Sequence, residues 1–262
     1  MSDSEVSVEY RDSIAIVRFA NPPSGLIANK GAAQLAEKLG ELLGDKEVRA
    51  IVLTGGQEGV FIRHADVVQI SRAADALAEG KIHASAFFDG PFPRLGRMLD
   101  AATKPVIAAI DGVCMGGGFE IALACTMRVA SPAAVSIGLP EIRIGIFPGA
   151  GGTQRLPRLI GNHRAQLFMM RGTVVDATQA LELGLVDELA PSALDRAVEL
   201  ANEFARRPPG AMAAIMRLTQ SIDDDGLEEE ITSFASLLRD DPAVREQLRQ
   251  FVLSDQKIVE LK

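Results

Sequence analysis

Two glutamates set among apolar residues are the groups of this chain best suited to chemistry. Glu120 stands two residues after the triple glycine Gly116-Gly117-Gly118, with Phe119, Ile121, Ala122, Leu123 and Ala124 around it. From Pro105 to Ala130 there are 26 residues and three charges, Asp111, Glu120 and Arg128, where the whole-chain charged fraction of 24% would place about six. A glutamate in a first helical turn is favoured by the helix dipole, by about 0.3–1 kcal/mol, and needs no other role. Here the flanking side chains offer no solvated face, so desolvation should raise its pKa, which suits a proton carrier. The glycines admit two explanations, close strand–helix packing or backbone left bare for a ligand. On the second, free N–H groups at the helix start face an oxyanion, and one such donor contributes about 3 kcal/mol to a transition state. Glu141 follows Pro140 in Ile137-Gly-Leu-Pro-Glu-Ile-Arg-Ile-Gly145, again among apolar residues. Alone it is a loop glutamate; with Glu120 it makes a candidate general acid–base pair across one pocket, suited to enolate-type or hydration chemistry.

These residues need a scaffold, and the chain punctuates one. Val6–Tyr10 and Ile14–Phe19 flank Arg11-Asp-Ser as a β-hairpin, and Asn21-Pro-Pro-Ser-Gly25 follows as a loop. Residues 29–43 carry Ala32, Leu35, Leu39 and Leu42 on one helical stripe. A strand over 48–54, an apolar step over 60–62 and a helix from Asp66 to about Glu79 come next, then an amphipathic helix over 83–101. Pro105–Ile110 is a buried strand leading to the glycine step, with short strands near 127–130 and 135–137. Gly149-Ala-Gly-Gly152 opens a helix, and Asp176 caps another over 177–183. Beyond Val186 helices are expected over 192–206, 210–222, 227–239 and 242–253, punctuated by Pro208-Pro209, Gly226 and Pro242. Strand–helix alternation followed by a helical tail predicts an α/β core over 1–195 and a helical cap or assembly element over 196–262.

Composition narrows the function. A chain of 262 residues buries a core large enough to need no disulfide or metal staple. The net charge of −8 argues against a general nucleic-acid or anionic-membrane binder. Cys114 and Cys125 lie in one apolar stretch and suit buried free thiols in a reducing compartment. The polar N-terminus and the lack of an apolar run of membrane-spanning length lead to the expectation of a soluble, cytoplasmic protein. His64, His83 and His163 are scattered, so no metal site is expected. Gly-x-Ser-x-Gly, the phosphate-binding Gly-x-x-x-x-Gly-Lys loop and the dinucleotide fingerprint do not occur, which weighs against an α/β-hydrolase and against NAD or ATP.

Three ordered segments resemble the crotonase superfamily of enoyl-CoA hydratases and isomerases. They are Lys104-Pro-Val-Ile-Ala-Ala-Ile-Asp-Gly-Val-Cys-Met-Gly-Gly-Gly-Phe-Glu120, Pro140-Glu-Ile-Arg-Ile-Gly-Ile-Phe-Pro-Gly-Ala-Gly-Gly-Thr-Gln-Arg-Leu156 and Asp176-Ala-Thr-Gln-Ala-Leu-Glu-Leu-Gly-Leu-Val186. The likeness runs from about residue 5 to 190 and is looser beyond. It implies a spiral of ββα units with C-terminal helices that build trimers, often paired into hexamers. It also implies an acyl-CoA substrate with no metal or redox cofactor. In family hydratases the acids matching Glu120 and Glu141 hold one water, which adds across C2–C3 of an enoyl thioester. By position, the amides of Gly117 and Arg63 would hold the enolate oxygen. Gly25, Leu26, Ala28, Arg63, His64, Ala65, Asp66, Gly116, Gly117, Pro140 and Gly149 are the implied contacts to the acyl-CoA.

The chain departs from the family pattern in places. Phe61-Ile-Arg-His-Ala-Asp66 puts Arg63 where a small residue is usual and His64 where Gly is usual. A non-Gly residue tolerates positive φ poorly there. Either both side chains point to solvent over an unchanged backbone, or Arg63 pairs with a CoA phosphate or a polar acyl tail. Ile27 replaces a common Asn, one residue is inserted near 131–134, and the family's basic C-terminal ending is missing. Possession of both acids favours a hydratase over an isomerase, since family isomerases typically keep only the acid at position 141. A different thioester-enolate reaction, or a catalytically weak CoA-binding member, is the alternative. RNA binding would want a lysine-rich helix, and 29–43 holds only Lys30 and Lys38.

Overall fold

The computed structural model describes residues 4–83, 85, 90–219, 224–254 and 256–260. β1 (Glu5–Arg11) and β2 (Ile14–Ala20) form the expected hairpin, with Asp12 turning it in the left-handed region at φ 53°. α1 (Asn29–Gly44) buries the expected stripe of Ala32, Leu35, Leu39 and Leu42. β3 (Ala50–Gly55), β4 (Val60–Ile62) and α2 (Val67–Ala78) follow, and then α3 (Pro91–Asp100). β5 (Val106–Ile110), β6 (Val113–Met115) and α4 (Gly117–Ala124) repeat the strand–strand–helix order. So do β7 (Met127–Ala130), β8 (Ile137–Gly138), a 3-10 turn (Glu141–Ile144) and α5 (Gly152–Ile160). α6 (Asn162–Met170), β9 (Val174–Val175), α7 (Ala177–Glu182) and β10 (Glu188–Leu189) lead to the helices α8 (Ala193–Ala205), α9 (Pro209–Thr219), α10 (Asp224–Asp240) and α11 (Pro242–Leu253).

In the three units from β3 to α5 the first strand joins one sheet and the second joins another, whereas β1 and β2 both join the first. The larger sheet has the order β1-β2-β3-β5-β7-β10 and the smaller β4-β6-β8-β9. Apart from the β1–β2 hairpin and the β8–β9 pair, neighbouring strands are parallel. The chain thus winds as the ββα spiral that the resemblance implies. Two glycines let its corners stack. A Cβ on Gly55 would stand 1.8 Å from the Val60 carbonyl oxygen, and one on Gly112, at φ 116°, would stand 2.0 Å from the Gly59 backbone.

One face of the large sheet packs against α1, α3 and α4 in the main core; the other packs against α8 through Ala193, Ala197, Leu200 and Ala201. A third cluster joins α2 to α10 and α11 through Val67, Ala74, Leu77, Phe234, Leu238 and Leu248. The C-terminal helices α10 and α11 therefore fold back beside the β3-β4-α2 unit of their own chain. Cys114 and Cys125 are buried free thiols, as expected. Among the described residues no helix is long and apolar enough to cross a membrane.

Several boundaries differ from expectation. Of the helix expected over 83–101, Pro91–Asp100 forms one helix, the Pro91 ring presetting its first turn after Gly90; residue 85 is also helical, and residues 84 and 86–89 lie outside the described residues. The short strand near 135–137 is Ile137–Gly138. α6 escaped the sequence pattern because it buries only Ala165 and Phe168. The helix expected over 210–222 runs Pro209–Thr219, and residues 220–223 lie outside the described residues. Gly226 does not break the chain, since α10 runs through it and brings it against Gln154; a Cβ there would stand 2.5 Å from Gln154 Oε1.

Candidate active site

The spiral brings α4, the 3-10 turn and the loop before α5 around one cavity of about 280 Å³. Its walls are largely apolar, including Ile70, Phe92, Ile144, Phe147 and Phe234, and both predicted acids line it. Glu120 is 4% exposed and Glu141 8%. Neither faces bulk water.

The two carboxyls are held differently. Oε1 of Glu120 accepts the amides of Ala150 at 2.8 Å and Gly152 at 2.9 Å. Burial pushes its pKa up to about 7, the negative charge of Glu230 adds to that, and the two amides and Arg155 oppose it. Both oxygens of Glu141 are buried with no hydrogen-bond partner among the described residues. Burial, with the charge of Glu120 second, holds its pKa well above the ordinary carboxylate value. One site therefore holds two carboxyls that burial favours in the neutral form, the one at position 120 with its midpoint at about 7.

The backbone donors require a correction. The amide of Arg63 donates to the Gly25 carbonyl at 2.8 Å, so it is not available to an oxyanion. The amides of Ala65 and Gly117 have no acceptor among the described residues. They flank one space, because a Cβ placed on Gly117 would stand 3.4 Å from Ala65 N and 3.1 Å from Ala65 Cβ. Glycine at 117 keeps that space open, and the Gly117 amide belongs to the first turn of α4, where no intrahelical acceptor exists. Gly116, at φ 49°, makes the turn into α4 and donates its amide to Gly138 O at 2.9 Å.

The remaining predicted contacts divide. His64, Ala65, Asp66, Gly116, Gly117, Pro140 and Gly149 line the main cavity. Leu26 and Arg63 line a second cavity of about 510 Å³, shared with Ser24 and Lys257, and His64 and Asp66 border both. Gly25 and Ala28 line neither; Gly25, at φ 67°, serves the loop by presenting its carbonyl to Arg63. The Arg63 side chain is anchored, its Nε donating to Ser24 O at 2.7 Å. His64 needs no positive φ, since Asp12 is the one described non-glycine residue there. Its Nδ1 donates to the Ala65 carbonyl at 2.8 Å, and burial lowers its pKa, so it is a neutral wall residue. Asp66 caps α2 by accepting the Val68 amide at 2.9 Å.

Sequence reasoning missed a third buried acid. Glu230 of α10 is 4% exposed; its Oε1 accepts the Gly151 amide at 2.5 Å, and its Oε2 accepts the Thr153 amide at 2.9 Å and the Thr153 hydroxyl. A signal existed: Leu227, Ile231, Phe234 and Leu238 form an apolar helical stripe, and Glu230 falls on it. Beside it, buried Arg155 donates Nε and Nη2 to Asp100 at 2.9 and 2.6 Å and Nη1 to Ala150 O at 2.7 Å.

The fold and this site define a class: two acids in a greasy cavity beside unpaired main-chain amides, on a ββα spiral. Comparison with known proteins agrees. The enoyl-CoA hydratase/isomerase family model matches residues 9–252. YngF of Bacillus subtilis (strain 168), named as an enoyl-CoA hydratase/isomerase, is 36% identical over 239 residues, covering 89% of this chain and 86% of that protein. The fatty acid oxidation complex subunit alpha of Shewanella loihica is 38% identical over 179 residues, which is 66% of this chain; the match spans about a quarter of that protein's length, 24%. The crystal structure of an enoyl-CoA hydratase/isomerase from Mycobacterium paratuberculosis superposes with a TM-score of 0.84 over 95% of this chain and 99% of that one; at 19% identity it shows the fold alone. The chain belongs to the enoyl-CoA hydratase/isomerase family, within the crotonase superfamily.

Proposed function

We propose that the protein adds water across the C2–C3 double bond of a 2-enoyl-CoA thioester. The carrying observation is that Glu120 and Glu141, both buried, line one cavity with the unpaired amides of Ala65 and Gly117. The thioester oxygen lies against these two amides. Ionised Glu120 takes a proton from water as the water oxygen bonds to C3, and the C2–C3 electron pair moves toward the thioester oxygen. The amides stabilise that developing enolate. Glu141, holding its proton, delivers it to C2, and the proton on Glu120 then returns to Glu141. The net change is one water added. No metal or redox cofactor enters this scheme, and acyl-CoA is the substrate. The second cavity, with Arg63 and Lys257 on its rim, takes the phosphate-bearing part of CoA.

The same reading includes a homotrimer or a dimer of trimers. Exposed apolar side chains such as Met170 at 64% and Leu218 at 73% are suited to burial between subunits. The deciding assay is loss of the 2-enoyl thioester absorbance with short, long and aromatic enoyl-CoAs, run beside 3-enoyl thioesters. Hydration of at least one 2-enoyl substrate, lowered about 10²–10⁴-fold in Glu120→Gln, is expected. Conversion of 3-enoyl to 2-enoyl thioesters without hydration at any chain length would replace the hydratase with an isomerase.

A further inference from the structure

The end of the loop before α5 and the first two residues of α5 carry four consecutive amides, and they are shared alternately between two acids. Ala150 and Gly152 donate to Oε1 of Glu120; Gly151 and Thr153 donate to Glu230. N–H groups only donate, so both Glu230 oxygens act as acceptors; burial raises its pKa, and the bonds from the Thr153 hydroxyl and the two amides oppose that. Gly151 takes φ 103°, and a Cβ on Gly152 would stand 2.9 Å from Glu120 Oε1, so the loop lies directly on the Glu120 carboxyl. Phe234, one helical turn beyond Glu230, packs under Gly149, where a Cβ would meet its ring at 2.7 Å. The Arg155 Nη1–Ala150 O bond ties down the loop's start.

We propose that Glu230 is a positioning residue for Glu120. By holding the amides of Gly151 and Thr153 from the C-terminal helix, it fixes the loop so that the intervening amides of Ala150 and Gly152 meet on one oxygen of Glu120. The other oxygen, Oε2, has no hydrogen-bond partner among the described residues and is left for the reacting water. The proposal rests on the hydratase reading for its kinetic consequence, but not for its structural one. It also gives the C-terminal helix a role in the site.

The charges that face Glu120 come from four elements: Glu230 on α10, Arg155 on α5 with Asp100 of α3 behind it, and Glu141 on the 3-10 turn. Removing the Glu230 charge removes a like charge and lets Glu120 ionise at lower pH. Glu230→Gln keeps one of the two acceptors, turns a donor NH₂ toward the other amide, and loses the charge. Glu230→Ala loses both acceptors and the charge.

The test uses full-length protein. Carboxyl infrared titration of the free protein, with Glu120→Gln identifying the band of Glu120, reads the Glu120 protonation directly without any turnover. Enoyl-CoA kinetics across pH reads its consequence. Glu230→Gln is expected to move the Glu120 titration, and the acidic limb of kcat/KM with it, to lower pH. Glu230→Ala is expected to lower kcat about 10- to 100-fold with a smaller change in KM, as displacement of a reacting group by about an ångström does. If folded Glu230→Ala leaves both kcat and the infrared titration of Glu120 where they were, the proposal is overturned. It is equally overturned if both variants lose activity only in proportion to folded protein. Wild type inert toward every enoyl-CoA, with the infrared shift present, overturns the hydratase reading and leaves the positioning of Glu120 by Glu230 supported.

Discussion

Replacing Glu120 by Gln should make the protein more stable as well as inactive, and the gain should grow with pH. The carboxyl sits at about 7 in the fold against 4.5 for the ordinary group. Because the folded-state pKa is raised, the folded protein holds more protons than the unfolded chain between these values, and stability falls as pH rises through that window. A displacement of that size corresponds to about 3 kcal/mol of destabilisation above pH 7, with about 1 kcal/mol already present at pH 5. Glutamine keeps a carbonyl that can accept the amides of Ala150 and Gly152. Its NH₂ takes the place of Oε2 without a protein acceptor, a cost of about 1 kcal/mol that does not depend on pH. The stability of Glu120→Gln relative to wild type should therefore climb by about 2 kcal/mol from pH 5 to pH 8, or about 4–8 °C in Tm. Thermal unfolding at fixed protein concentration over that range measures it, the concentration being held because oligomerisation also shifts Tm. In parallel, hydration should fall by about 10²–10⁴-fold. A stability gap constant within about 0.5 kcal/mol across the range would mean that Glu120 is not a desolvated acid, and its role as the proton carrier would fall with that.

Gly117→Ala puts a methyl between the two free amides, 3.1 Å from Ala65 Cβ and 3.3 Å from Phe92 Cε1; kcat should fall about 10²–10³-fold, by steady-state assay, with the protein still folded by circular dichroism. Arg63→Ala should raise KM for CoA thioesters more than it lowers kcat, because the side chain borders the second cavity while the main-chain amide, which alanine keeps, is bonded to Gly25 O; unchanged KM across CoA thioesters would remove Arg63 from CoA binding. Asp100→Asn leaves the guanidinium of Arg155, whose side chain is 4% exposed, without its carboxylate partner and should cost about 3–5 kcal/mol by denaturant unfolding.

The residue order by itself determined what depends on near neighbours. The hairpin around Arg11–Ser13, the stripe of α1, the glycine step into α4, the cap at Asp176 and the apolar settings of Glu120 and Glu141 all follow from spacings of a few residues. Their burial was legible for the same reason: the flanking side chains are apolar whichever way the chain folds. Tertiary structure alone decided which backbone donors are free. Whether the amide of residue 63 or 65 can meet an oxyanion depends on Gly25, nearly forty positions earlier, whose carbonyl takes the first and not the second. It also decided that Glu230, one of three successive glutamates that look like a solvated helix face, turns inward onto the loop at 150–153. A hydrogen-bonding group is satisfied by whatever the fold brings within about 3 Å, and that distance has no counterpart in sequence separation.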